Sequence, residues 1–74
     1  NKYKRMKVKG TYILDTLEVE YELYWNDGDH FTAPEFELNY TSVTLNGMDI
    51  FVFYINFLAE QLYDQVLEYA NENK

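Results

Sequence analysis

The chain contains no cysteine. Without thiols it can build neither a disulfide framework nor a thiolate metal site, so its fold must rest on apolar packing, and the composition fits a reducing cytosol. Long apolar runs are also missing. Nothing approaches the ~20 residues of a membrane span, and the basic N-terminus is not followed by the apolar stretch of a secretion signal. The expectation is a soluble, unexported, cytoplasmic protein. Ser42 is the only serine and His30 the only histidine, so a nucleophile, a base and an orienting group are hard to assemble. There is no glycine-rich phosphate loop and no Lys-Ser/Thr pair. Neither catalysis nor a cofactor is expected.

Positive charge is absent from most of the chain. From Gly10 to Asn73 there is no lysine or arginine, and the same stretch holds all 13 Asp and Glu. Lys2, Lys4, Arg5, Lys7 and Lys9 form a basic arm ahead of this acidic body, and the net charge is −7. Such asymmetry concerns partners more than fold. A basic protein is a better partner than bare nucleic acid, which the body would repel. The arm's cations are expected to pair with carboxylates of this chain or of a second copy, or to guard an edge strand.

What the sequence does have is alternation. The 74 residues suit one domain, 1–74, near the size where a single core gives only a few kcal/mol of net stability. Eight Tyr, five Phe and one Trp supply much of that core. Leu17 to Trp25 places Leu17, Val19, Tyr21, Leu23 and Trp25 on one side, and Glu18, Glu20 and Glu22 on the other, which is the period of a strand with one wet face. Tyr3 to Lys9 alternates in the same way, and Gly10 is the natural turn after it. Thr11 to Trp25 then reads as one long strand with Ile13, Leu17 and Val19 inward and an irregularity at Asp15.

Asn26-Asp27-Gly28-Asp29 opens a loop that reaches Pro34. Its carboxylates and His30 begin like a calcium site, but no acid closes the far end of the cage, so a polar turn is the better reading. Glu35 to Leu45 is a third strand whose inward set shifts from Phe36, Leu38 and Tyr40 to Val43 and Leu45, which requires a bulge near Thr41-Ser42. Asn46-Gly47 is the strongest turn signal in the chain.

Met48 to Phe57 is apolar on every side. It reads as a covered strand, a strand meeting a second subunit, or a first helical turn, and its β-branched and aromatic content favours a strand. From Asn56, which can cap, the period becomes helical. Leu58, Leu62, Val66 and Tyr69 form a stripe supported by Ala59 and Ala70. Glu68 and Glu72 oppose the macrodipole, and the end near Asn71 should fray. The fold expected is α+β, an antiparallel sheet of three to four strands in chain order with one C-terminal helix on its apolar face.

The wet face draws the functional reading. Glu18, Glu20, Glu22, Glu35 and Glu37 would share it, with Asp27 and Asp29 at the rim. Alternate strand residues lie ~6.6 Å apart and neighbouring strands ~4.8 Å apart, a charge density that begins to imitate a nucleic-acid backbone. A turn at Gly10 would hold the arm's cations away from these glutamates, nearer Ile13 and Asp15. The alternatives are a face kept acidic for solubility, and a small structural or assembly homodimer that meets through Phe51, Phe53, Tyr54 and Phe57.

Glu18-Val19-Glu20-Tyr21, Ala33-Pro34-Glu35 and the run Ser42 to Ile50 resemble small uncharacterised proteins encoded by bacteriophages, over under half of the chain. The resemblance implies that Asn46 to Ile50 turns into a C-terminal helical tail. It also implies a setting, the host cytoplasm, in which very small acidic proteins inhibit host enzymes or defence proteins by occupying nucleic-acid grooves. The function expected on both grounds is stoichiometric inhibition of a basic host protein.

Overall fold

The computed structural model describes residues 5–28, 30–31 and 33–74; Asp29, and Tyr3 at the start of the expected first strand, lie outside them. Four antiparallel strands follow one another across one sheet, β1 (Met6–Leu14), β2 (Leu17–Asn26), β3 (Glu35–Leu45) and β4 (Met48–Asp49), in the order β1-β2-β3-β4. A C-terminal helix follows as α1 (Phe51–Phe53), a π-helical turn (Tyr54–Leu58) and α2 (Ala59–Glu72). The architecture is α+β, as the alternation and the later helical period imply.

The first hairpin differs from expectation. β1 continues through Gly10 to Leu14, and the chain turns at Asp15-Thr16, with Asp15 at φ 57°. Gly10 lies in the strand opposite Tyr21. A tyrosine ring needs the room above it, so glycine here serves packing and not a turn. Moving the turn also reverses Ile13. It pairs with Glu18 on the outer face and is 60% exposed, while Tyr12 and Leu14 take the inner positions across from Val19 and Leu17.

The later sheet agrees with the sequence. The register of β2 against β3 slips between Glu20 and Tyr21, leaving Thr41 as the extra residue, and this bulge lets Tyr40 and Val43 both face inward. Asn46 and Gly47 have φ of 53° and 78°, the type I′ geometry that suits a two-residue hairpin. The Asn46 amide donates to the Thr16 carbonyl at 3.1 Å, tying the two turns together.

The segment after Asp49 is helical, which corrects the strand favoured for Met48 to Phe57. Only Met48 and Asp49 pair with β3. Asp49 Oδ1 then accepts the Phe51 amide at 2.9 Å, a local bond across the residue Ile50 that caps the helix with its carbonyl. The helix starts five residues before Asn56, which sits exposed in the π turn, so tertiary packing of Tyr54 into the core accompanies a helix where β propensity favoured a strand. The far end, expected to fray near Asn71, is hydrogen-bonded through Glu72, and Asn73 closes it through both its backbone and its side chain on the Tyr69 carbonyl.

Leu58, Leu62, Val66 and Ala70 recur every four residues, which in an α-helix drifts by roughly 40° per repeat. The wider π turn at Tyr54–Leu58 adds a residue to one turn and offsets part of that drift, so Tyr54 as well as Val66 and Ala70 is fully buried. The helix covers the inner sheet face in two linked clusters. Leu17, Val19, Val43 and Tyr54 lie towards the turn end of the sheet, and Tyr21, Leu23, Val66 and Ala70 towards the loop end. Tyr69 joins them by edge-to-face contacts with Tyr12 at 5.3 Å and Tyr21 at 6.4 Å.

Candidate functional site

The outer sheet face brings together the glutamates that the alternation placed there, but not as an unbroken acidic field. Across β2 and β3 each glutamate faces a neutral residue: Glu22 faces Asn39, Glu20 faces Ser42, Glu18 faces Thr44, Glu37 faces Tyr24 and Glu35 faces Asn26. No two acids are direct cross-strand partners in this pairing, so the like-charge repulsion expected of the face is reduced to diagonal neighbours.

The basic arm neutralises part of the face, which corrects its expected position. Because the turn is at Asp15-Thr16, Lys9 stands directly across from Glu22 and Lys7 across from Tyr24. Lys7 and Lys9 reach Glu22 at 3.3 and 3.7 Å, and Arg5 meets Glu37 at 2.7 Å. The hydrogen bond from Lys7 holds the Glu22 carboxyl below its usual range, helped by one from Tyr24 and by the charges of Lys7 and Lys9, and opposed by desolvation. Glu37 is lowered by the Asn39 amide and by Arg5. Glu22 raises the Lys7 ammonium in turn. Glu18 accepts a long bond from Thr44 at 3.4 Å and Glu35 one from Asn26 at 3.4 Å. Asp27 is exposed at the start of the loop.

The segment proposed for subunit contact divides in two. Tyr54 is fully buried, its ring edge-on to Tyr40 at 5.2 Å, and cannot meet a partner. Phe51 is half-buried against the core. Phe53 and Phe57 point outward at 56% and 64% exposure with ring centroids 5.1 Å apart, flanked by exposed Val52, Ile55 and Met48. An open hollow of about 430 Å³ runs beside them, lined by Asp49, Ile50, Phe51, Val52 and Phe53. Ile13, Leu14 and Leu45 are exposed on the strands at this same turn end, a grouping the sequence conceals because it depends on where two hairpins turn.

Buried hydroxyls are the other feature missed. The Tyr40 and Tyr54 hydroxyls are buried as near neighbours of one another, and among the described residues neither has a hydrogen-bond partner of good geometry. Burial, followed by the neighbouring Tyr54, pushes Tyr40 far above the usual tyrosine range, and burial also raises Tyr54 and Tyr21. Ser42 lies in β3 opposite Glu20, whereas His30 is exposed in the loop between β2 and β3. Among the described residues no group of His, Cys, Asp and Glu is placed to hold a metal, and no helix is long and apolar enough to cross a membrane. No protein-family model, curated protein or solved structure matches the chain.

Proposed function

We propose that the protein acts by binding protein, and that its primary contact is self-association through the apolar turn end. The observation that carries this reading is the pair Phe53 and Phe57, stacked one helical turn apart with more than half of each side chain exposed. Exposed apolar clusters of this kind cost solubility unless they are covered. Ten consecutive residues, Ile50 to Ala59, carry no charge in a chain of net −7. A charged partner gains nothing there, whereas two copies of an otherwise self-repelling chain can approach through such an uncharged, exposed apolar segment. Sedimentation velocity over a range of concentration tests it. Association that holds or tightens with salt supports the apolar contact, and a monomer at all concentrations and salts refutes it.

A second reading, stoichiometric inhibition of a basic host protein by the acidic sheet face, rests on Glu18, Glu20 and Glu35, which make no salt bridge to the arm among the described residues. Glu22 and Glu37 are engaged by Arg5, Lys7 and Lys9, so imitation of a nucleic-acid backbone would fall to the unneutralised half of the face. The resemblance to phage-encoded proteins supports this reading by association. Capture of a basic protein that is lost both with Glu18→Lys plus Glu20→Lys and at high salt would favour it over self-association.

A further inference from the structure

At the loop end of the sheet, Trp25 and Phe36 are cross-strand partners on the inner face. Trp25 packs partly buried against the cluster of Val66 and Ala70, and Phe36 beside it is 42% exposed. Lys74 reaches back over them, its Nζ 5.0 Å from the Trp25 ring and 4.9 Å from the Phe36 ring. Both distances fall within the ~6 Å at which the negative face of an aromatic ring attracts a cation. A cleft of about 280 Å³ at this edge of the sheet is lined by both rings and, from the outer face, by Glu35, Glu37 and Arg5, with Arg5 already paired to Glu37 at 2.7 Å. The outer surface of this end repeats the chemistry, with Arg5 and Lys7 at 4.8 and 5.6 Å from the Tyr24 ring. A pair of rings, one partly buried and one exposed, set in an acidic chain and already holding one ammonium, has the composition that recognises alkylammonium groups.

We propose that Trp25 and Phe36 form a binding site for an alkylammonium group, the side chain of a lysine or methylated lysine on a partner protein, and that Lys74 fills this site in the free protein. An external ammonium displaces Lys74 with no change in the sheet, because strand pairing holds the two residues side by side whether or not Lys74 is in place. The site lies at the opposite end of the sheet from the apolar patch, so it stands independently of self-association.

Trp25 is the only tryptophan, so its fluorescence reports occupancy directly. The probes are choline, Nα-acetyl-lysine amide, which keeps its side-chain ammonium, and 3,3-dimethylbutan-1-ol, the uncharged isostere of choline. Expected is a saturable response to choline or Nα-acetyl-lysine amide and none to dimethylbutanol. Lys74→Ala should bind about 2- to 5-fold more tightly than the native chain, the range expected from losing an exposed cation–π competitor. Phe36→Leu, which keeps apolar bulk, should lose binding while circular dichroism stays native. No saturation in Lys74→Ala, an equal response to the uncharged isostere, or the same affinity with and without Lys74 overturns the proposal.

Discussion

Gly10 and Tyr21 face one another across the first hairpin, and the tyrosine occupies the space a side chain at position 10 would need. A Cβ there would stand 2.6 Å from Tyr21 Cζ and would overlap its hydroxyl. Tyr21 is buried, with Tyr69 edge-on to it, and its rigid ring cannot swing aside. Gly10→Ala should therefore destabilise by about 1–3 kcal/mol, the usual cost of overpacking. In a domain of this size each kcal/mol lowers Tm by roughly 4–8 °C, which thermal unfolding by circular dichroism measures. Tyr21→Phe in the same chain should recover part of the loss by removing the overlapping hydroxyl.

The same pair explains which parts of the fold were legible. Alternation in Leu17 to Trp25, the phase shift at Thr41-Ser42 and the turn at Asn46-Gly47 all appear in the structure, because each is a local pattern with one solution. Gly10 misled because a glycine that makes room for a ring and a glycine that turns a chain look alike in sequence. That one shift of the turn moved Lys7 and Lys9 from beyond the glutamates to Glu22. It also brought the expected pairing of the arm with this chain's carboxylates onto the candidate acidic site, where the expected turn at Gly10 would not have put it. The run after Asp49 misled for a different reason: its β-rich composition is a weak guide beside context, here a local bond from Asp49 at the helix start and the burial of Tyr54 in the core.

Asp49 tests that explanation. Its carboxylate holds the Phe51 amide at 2.9 Å in an exposed position, and Asp49→Ala should cost about 1 kcal/mol, typical for loss of one hydrogen bond. Asp49→Asn, which keeps the accepting oxygen, should cost less. Amide exchange would locate the effect in residues 51–54; equal exchange in all three chains would show that this bond does not help start the helix.

Stability should fall at both extremes of pH. Glu22 and Glu37 are held below their ordinary carboxylate value of 4.5, so their contribution is present above that pH and is lost as pH falls through their folded values. Glu37 is exposed and Glu22 only partly covered, so the effect should be small and weakened by salt. Tyr21, Tyr40 and Tyr54 are raised above the ordinary tyrosine value of 10.0. Their contribution is complete below pH 10 and disappears as pH rises towards their folded values, because the unfolded chain ionises first. Ultraviolet titration should show these three phenols ionising only with alkaline unfolding. A single transition near 10 for all eight tyrosines, with the fold intact, would contradict their burial.

The exposed pair Phe53 and Phe57 is the direct test of self-association. Sedimentation equilibrium of the native chain should give an assembly larger than a monomer that persists at high salt. Phe53→Glu with Phe57→Glu should give a monomer with native circular dichroism, since neither ring is part of the buried core. A native chain that sediments as a monomer throughout, or a doubly substituted chain that associates equally well, would contradict an interface at the apolar end.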